Sequence, residues 1–179
     1  MRQSANCLPR VRPGAWLAGY ACALAAAFSL AACARVPTLQ NTRETPQAVA
    51  EAVIAALDDK NIDALTALAV DEEEFRVLVW PQLPAARPER NLTWQSEWQD
   101  LSTKSRYHAR ARQAAWSARG ARVVQVRFDG PVEDHGTYRI HRETVIDLRR
   151  PDGQQSTERL FGSMIEQAGR FKVFSYVVD

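Results

Sequence analysis

The chain has 179 residues, of which 46% are hydrophobic and 25% charged, a composition typical of a folded protein rather than a disordered one. Its formal net charge of +2 arises from the first 32 residues, which contain three arginines and no acidic residue. The rest of the chain holds 20 basic and 21 acidic side chains and is nearly neutral. Composition therefore gives no case for nucleic-acid binding.

The first 33 residues have the three-part order of a secretory signal. Residues 1–14 are basic, residues 15–30 are almost continuously apolar, and small side chains precede the cysteine in Leu30-Ala31-Ala32-Cys33. These four residues resemble the lipobox of bacterial lipoproteins, and the resemblance implies that residues 1–32 are cleaved and that Cys33 is acylated. A retained membrane-spanning helix is the alternative, although the apolar stretch is shorter than the roughly 20 residues that spanning needs.

Acylation at Cys33 would make the bilayer a partner of the chain. Each buried CH₂ contributes about 0.8 kcal/mol, so two or three acyl chains hold a protein durably. Ala34 stands where lipoproteins retained at the inner membrane often have an aspartate, and the same resemblance therefore implies the outer membrane, facing the periplasm. Cys7 and Cys22 leave with the signal, so we expect no disulfide in the remaining chain.

Residues 33–44 are polar and aperiodic and are predicted to form a lipidated cysteine and a flexible tether, followed by one domain over residues 45–179. Capping residues indicate four helices in the first half of that domain. The caps are Thr45 (with Pro46 at the first helical position), Asn61, Asp71 and Thr93. Glu74 completes a capping box with Asp71, which favours a helix start over a metal or partner site for the acidic cluster 71–74.

Hydrophobic alternation replaces the helical period from about residue 105. The fourth helix is therefore expected to be short, and five strands are predicted at 105–116, 121–129, 137–149, 156–166 and 170–178. Helices followed by an antiparallel sheet define an α+β fold in which the helices pack on one face of the sheet.

This order of elements, together with the helix, polar break and helix of residues 52–68 (AVIAALDDKNIDALTAL), resembles the nuclear-transport-factor-2-like family, also called SnoaL-like or cystatin-like. The resemblance covers residues 45–179. It implies N-terminal helices lying across a curved antiparallel sheet of about five strands, which together form a cone with a pocket. The family includes enzymes and non-catalytic domains, so the resemblance implies a pocket and no particular chemistry.

Alternation along residues 137–149 divides its side chains between two faces. The core face carries Tyr138, Ile140, Thr144, Ile146 and Leu148 together with one charged residue, Arg142. Arg142 is predicted either to line a polar pocket, paired with Glu158 or Glu166, or to extend to water at the sheet edge.

Four aromatic side chains are further candidates for lining an apolar ligand pocket. They are Trp94, Trp98, Tyr107 and Tyr138. Core packing is the alternative for tryptophans at helical spacing.

The opposite face of the predicted strands carries a basic stripe, comprising Arg106, Arg110, Arg112, Arg127, Arg139 and Arg149. Such a stripe near a membrane suits anionic headgroups or an acidic partner, and a solvated face with cross-strand ion pairs is the alternative. His108 and His141 fall on this face and are expected to be solvated. His135 lies beside Asp134 without the spacing of a metal site, so we expect no metal, no cofactor and no catalytic histidine.

Three functions fit these observations. The favoured one is a non-catalytic, membrane-tethered module that binds a small apolar or amphipathic molecule or another envelope protein. An acid–base enzyme of the isomerase or hydrolase kind would need a carboxylate beside a donor such as Tyr107 or Tyr138, and no nucleophile or phosphate-binding motif is present. A purely structural envelope component, dimeric through the outer sheet face, is the third, and the sequence leaves the oligomeric state open.

Overall fold

Helices precede strands in the computed structural model, which describes residues 37–178, and the fold is α+β as predicted. The predicted signal segment 1–32 and Cys33 lie outside the described residues. The α-helices are α1 (Pro46–Asp58), α2 (Ile62–Leu68), α3 (Glu72–Glu74) and α4 (Trp94–Ala115). A π-helical turn, Phe75–Val79, continues α3, and three 3₁₀ turns follow it at Trp80–Gln82, Pro84–Ala86 and Pro88–Arg90.

The predicted helix caps are confirmed. Thr45 Oγ1 accepts a hydrogen bond from the Ala48 N–H at 3.1 Å, and Asn61 Oδ1 accepts one from the Ala64 N–H at 2.9 Å. Both bonds of the Asp71–Glu74 capping box are formed. Each cap satisfies a backbone donor that the first turn leaves unpaired, which is why these starts could be placed from sequence.

The predicted strand at 105–116 is wrong, because residues 105–115 form the second half of α4, which is 22 residues long. Thr93 caps this helix as predicted. No glycine or proline ends it before Trp116, and Thr103 is its only β-branched residue. The alternation of arginine and alanine suggests a strand, yet the two buried residues of the helix, Ser105 and Ala109, continue the helical spacing of Trp98 and Leu101.

Seven strands form two antiparallel sheets. They are β1 (Arg122–Phe128), β2 (Val132–Asp134), β3 (Arg139–His141), β4 (Thr144–Arg149), β5 (Gln155–Glu158), β6 (Ser163–Gln167) and β7 (Arg170–Ser175). The strand order is β1-β4-β5 in the three-stranded sheet and β2-β3-β6-β7 in the four-stranded sheet. The predicted strands 137–149 and 156–166 are therefore each two shorter strands, and the chain passes from one sheet to the other within each of them.

A two-residue break between β3 and β4, Arg142–Glu143, which we call the bulge, changes which side of the chain each residue occupies. Ile140 packs with one core cluster, whereas Ile146 and Leu148, of the same parity, pack with the other. The change occurs at residues 142–143, where Glu143 has a left-handed backbone with φ of 52°. The single core face predicted for residues 138–148 is therefore wrong, because the parity is inverted at the bulge.

The second crossing between the sheets depends on Gly162. Its N–H donates to the Ser175 carbonyl at 3.1 Å, and its own carbonyl accepts from the Thr144 N–H at 2.8 Å. A Cβ at this position would overlap the carbonyl oxygen of Val177. Only glycine lets the three backbone segments approach so closely.

Both faces of the four-stranded sheet are covered, which corrects the prediction that helices pack on one face only. The first cluster contains buried residues of α1 and α2 with Met164 and Val173. The second contains Phe75, Leu78 and Val79 with Ile140 and Ile165, and the first turns of α4 pack against it. Because Ala109 belongs to the first cluster, α4 extends from one face past the edge strand β7 to the other.

A buried ion pair joins three parts of the chain. Lys172 of β7 and Glu74 of α3 have side chains only 1% and 6% exposed, and Lys172 Nζ lies 2.7 and 3.0 Å from the two carboxylate oxygens. The same carboxylate accepts the N–H groups of Gln40 and Asp71. With four hydrogen bonds from three donor groups, the buried charge of Glu74 is fully compensated.

Residues 37–44, predicted to be a flexible tether, lie against the four-stranded sheet. Arg43 exchanges two backbone hydrogen bonds of 2.8 Å with Phe171. Gln167 holds the segment further upstream, since its Oε1 accepts the Leu39 N–H and its Nε2 donates to the Pro37 carbonyl, both at 2.8 Å. The ordered part of the domain therefore begins before Thr45.

Replacing Lys172 by methionine leaves the Glu74 carboxylate buried without its cation. We expect Lys172→Met to lower the free energy of unfolding by about 3–5 kcal/mol, the usual effect of breaking a buried pair. Adding Glu74→Gln should restore a large part of the loss, because the amide removes the buried charge. Urea unfolding followed by tryptophan fluorescence measures both.

Lys104→Met is the control, since Lys104 pairs with Asp100 on the surface of α4, where both side chains are about 60% exposed. Its effect should stay below about 1 kcal/mol. Equal losses for Lys172→Met and Lys104→Met would show that the buried pair does not support the fold.

Candidate functional site

A cleft of about 370 Å³ lies between α2 and α4, over the end of β7. Its lining residues from the α2–α3 region are Thr66, Ala69, Val70, Asp71 and Glu72. Those from α4 are Trp98, Gln99, Leu101, Ser102, Ser105, Arg106 and Ala109, and those after them are Phe174 and Tyr176. The volume falls in the range of small-molecule sites.

The floor of the cleft is mainly apolar, and the Thr66 and Ser102 hydroxyls at its sides donate to the Ile62 and Gln99 carbonyls. Ala69, Val70, Ala109 and Phe174 are buried beside it. The Tyr176 hydroxyl donates to the Leu65 carbonyl at 2.8 Å, and burial raises the pKa of this phenol above its usual value. A molecule at the floor of the cleft would therefore meet mainly hydrocarbon.

The rim of the cleft is charged on both sides. Asp71 and Glu72 are exposed at the start of α3, and Arg106 is exposed on α4. The Arg106 Nε donates to the Ser102 carbonyl at 3.2 Å, which holds the guanidinium along the helix at the cleft. The cleft thus combines an apolar interior with a rim of both charge signs.

A cluster of polar side chains, separate from the cleft, lies at the margin of the first core cluster. His141 Nε2 is 2.7 Å from Glu166 Oε2, and the two side chains are 12% and 14% exposed. Phe128 and Phe171 flank the imidazole at ring distances of 4.6 and 5.9 Å. Arg139 approaches the same carboxylate oxygen at 3.6 Å. A histidine oriented by a carboxylate is an arrangement used in proton transfer.

The prediction that His141 is solvated on the outer face is wrong. The bulge at residues 142–143 puts His141 on the same side as Ile146 and Phe128, which is the side covered by α1 and α2. Glu166 faces this side too. It lies opposite Phe171 of β7, which packs against the first core cluster, and opposite Arg139 of β3. A bulge leaves little signal in sequence, so the pairing could not be predicted.

Arg142 neither lines a fully buried pocket nor pairs with Glu158 or Glu166. It makes a two-pronged ion pair with Glu133 of β2, at 2.8 and 2.9 Å, and its guanidinium lies 5.9 Å from the Phe174 ring. Its side chain is 36% exposed, and its hydrogen bonds to Glu133 lower the pKa of that carboxyl. The predicted pairing with Glu158 or Glu166 is wrong because Arg142 lies in the bulge, where its side chain contacts β2 instead.

The remaining predicted ligand residues are dispersed. Of the four aromatics, only Trp98 lines the cleft. Trp94 packs against the second core cluster and Tyr107 is 70% exposed on α4. Tyr138 is buried and donates to the Val79 carbonyl at 3.2 Å, and Glu158 pairs across the three-stranded sheet with Ile146.

The predicted basic stripe is not one sheet face. Arg106, Arg110 and Arg112 belong to α4, Arg139 belongs to the four-stranded sheet, and Arg127 and Arg149 belong to the three-stranded sheet. The Arg127 guanidinium is compensated by Asp147 at 2.7 Å and Asp129 at 3.2 Å. Thr157 also donates to Asp147, and this hydrogen bond is the largest cause of the lowered pKa of that carboxyl. These contacts fit the alternative of a solvated face with cross-strand pairs.

Cleft residues that the sequence did not suggest are small or polar. Thr66, Ser102 and Ser105 contribute to the lining, and Ser105 Oγ also accepts the Tyr176 N–H at 3.1 Å. The helical spacing of Trp98, Leu101, Ser105 and Ala109 is the signal that could have identified this face of α4.

Within residues 37–178, no three His, Cys, Asp or Glu side chains are grouped as a metal site. None of the helices in that range combines the length and apolar character needed to cross a bilayer. Comparisons with protein-family models, with curated proteins and with solved structures give no match.

The Arg142–Glu133 pair makes a pH-dependent contribution to stability. Because the folded-state pKa of Glu133 is lowered, the contribution is present above the ordinary glutamate pKa of about 4.3 and is lost as the pH falls through the lower value. In Arg142→Met we expect the pKa of Glu133 to rise, and the stability difference from wild type, about 0.5 kcal/mol at neutral pH for so exposed a pair, to vanish in acid.

Carbon-detected NMR titration of Glu133 and thermal melts at neutral and acid pH measure the two effects. Arg159→Met is the matched control, because Arg159 pairs with Glu143 at 3.4 Å. An unchanged Glu133 titration in Arg142→Met would contradict the assignment.

Proposed function

We propose that this chain is a membrane-anchored lipoprotein of the bacterial envelope, and that its folded part binds a small amphipathic molecule in the cleft between α2 and α4. The anchor would be acyl chains on Cys33, with the outer membrane and its periplasmic face as the site of action. The observation that supports binding is the cleft itself, which has a mainly apolar floor below a rim bearing both charge signs.

The chemistry of the cleft favours one chain of hydrocarbon with a charged or zwitterionic head. The floor between Ala69, Ala109 and Phe174 offers contact area and no hydrogen bonds. At the rim, Arg106 suits a phosphate or carboxylate, and Glu72 suits an ammonium group. No histidine is among the lining residues, and the Thr66 and Ser102 hydroxyls donate to carbonyls of their own helices, so binding explains the cleft better than catalysis.

Several contacts support a fold like that of the nuclear-transport-factor-2-like family. Helix α1 packs on β1 of the three-stranded sheet and on β7 of the four-stranded sheet, so one helix covers strands of both. We infer that the two sheets act as one curved sheet and that the family's cone is formed here.

An acid–base enzyme is the second candidate function, and the His141–Glu166 pair is the observation that favours it. Glu166 can hold the imidazole in one orientation, and two phenylalanine rings shield the pair from water. This cluster is formed by different residues from the cleft, so the two functions can be separated by substitution.

Acylation is tested by the mass of the mature protein purified from its own membrane. We expect an N-terminus at Cys33 carrying a diacylglyceryl group. Cys33→Ala should abolish the added mass, because the thiol that carries the acyl chains is gone. An intact N-terminal methionine, or an unmodified Cys33, would contradict the anchor.

Ligand binding is tested by filling the cleft from one side. Ser102 lines the cleft, and its neighbour Thr103 is exposed and does not. With lauroyl lysophosphatidylethanolamine as the probe, we expect Ser102→Trp to weaken binding at least about tenfold, equivalent to roughly 1.4 kcal/mol, while Thr103→Trp leaves it unchanged. Isothermal titration calorimetry gives both affinities, and thermal melts confirm that both variants fold.

Equal affinities for the two tryptophan variants would remove the cleft as the binding site. In a parallel experiment, lipids that co-purify with the wild-type protein are extracted, incubated with fresh protein and then analysed for chemical change. Chemical conversion of such a molecule, lost in His141→Asn and kept in Ser102→Trp, would favour the acid–base enzyme instead.

A further inference from the structure

This inference rests on the acylated Cys33 proposed above. If Cys33 is anchored, the path of residues 37–44 determines which part of the domain lies next to the membrane. Gln167 binds the main chain at Pro37 and at Leu39, and Leu39 is 8% exposed in the second core cluster. Downstream, Gln40 donates to the buried Glu74 carboxylate, and Arg43 pairs with Phe171. The chain is thus fixed to the sheet as far as Pro37.

Only residues 34–36 separate Pro37 from Cys33. Whatever their conformation, four consecutive Cα–Cα steps span at most about 15 Å. A tether of eleven free residues would let the domain turn in any direction above the bilayer, but this short connection does not. The surface around Pro37 must remain close to the lipid headgroups.

That surface is the end of the four-stranded sheet where β6 turns into β7. Thr38, Thr137, Gln167, Ala168 and Arg170 surround a shallow hollow there. Arg139 and Arg170 have side chains 54% and 46% exposed at this end, Arg139 beside Glu166 and Arg170 beside Glu44. Partly free guanidinium groups suit the phosphates of a headgroup layer.

We propose that this end of the sheet is a membrane-contact surface. It is kept against the phospholipid headgroups because the two hydrogen bonds from the Gln167 side chain to Leu39 and Pro37 fix the chain that leads to the anchor. The rest of the domain then points away from the bilayer. The turn between β4 and β5 lies away from it, since the chain leaves the contact surface at Arg139 and runs through β3 and then β4 before reaching that turn. The C-terminal end of α4 is also distant from the contact surface. Trp116, which follows it, donates its Nε1–H to Asp58 at the C-terminal end of α1, and α1 is a 13-residue helix about 20 Å long.

The orientation can be measured with single fluorophores, because no cysteine other than Cys33 follows the signal segment. Thr38→Cys and Thr137→Cys label the proposed contact surface, and Ala114→Cys and Gln154→Cys label the distant ends; all four positions are exposed. Each lipidated full-length protein is labelled and inserted into phosphatidylethanolamine–phosphatidylglycerol liposomes that contain a lipid with a nitroxide on its headgroup.

We expect loss of most of the fluorescence at positions 38 and 137 and no measurable loss at 114 and 154. Gln167→Ala should reduce this contrast, because it frees residues 37–39 and lengthens the connection, whereas Gln125→Ala on exposed β1 should leave it unchanged.

Similar quenching at all four positions, or stronger quenching at 114 or 154, would overturn the contact surface while the anchor stands. Protein that does not float with the liposomes would overturn the anchor, and the contact surface with it. Ligand binding in the cleft is measured separately and does not enter these outcomes.

Discussion

The ion pair between Glu74 and Lys172 is the interaction on which the arrangement of the molecule depends. It lies where the N-terminal segment, helix α3 and the edge strand β7 meet, and it is closed to water. Two charges so deeply buried are tolerated only with their partners in place, so each of the three segments needs the other two. The Gln40 N–H bond to Glu74 extends this dependence to the residues that lead out of the domain.

Helix α4 then determines what the domain can bind. It starts against the second core cluster and ends against the first, passing β7 where Ser105 accepts the Tyr176 N–H. A helix that crosses a sheet edge cannot pack closely against both clusters along its whole length. The cleft beside α2 is the space left by this crossing, and small side chains such as Ser102 and Ala109 keep it open.

The helix starts and the later strands could be predicted because their signals are local. Caps such as Thr45 and Asp71 satisfy backbone donors within one turn. In β1, Val126 and Phe128 pack on the first core cluster as alternation predicts, but a register shift between Val123 and Gln125 leaves Val124 47% exposed. Where the structure depends on contacts between distant residues, local sequence patterns do not predict it. Alternating arginine and alanine in α4 fit two periods, and only packing of Ser105 and Ala109 selects the helix. His141 was assigned to the wrong side because one bulged pair of residues inverts the parity that the assignment assumed.

The bulge also constrains how this chain can change in length. Residues 142–143 shift the alternation of side chains between β3 of one sheet and β4 of the other. Deleting one of them would rotate β4 by half a turn, so that Ile146 and Leu148 would exchange places with Asp147 and Arg149. Related chains should therefore differ in length at the exposed turn 150–154, where added residues disturb no register, and keep the count between His141 and Thr144 constant.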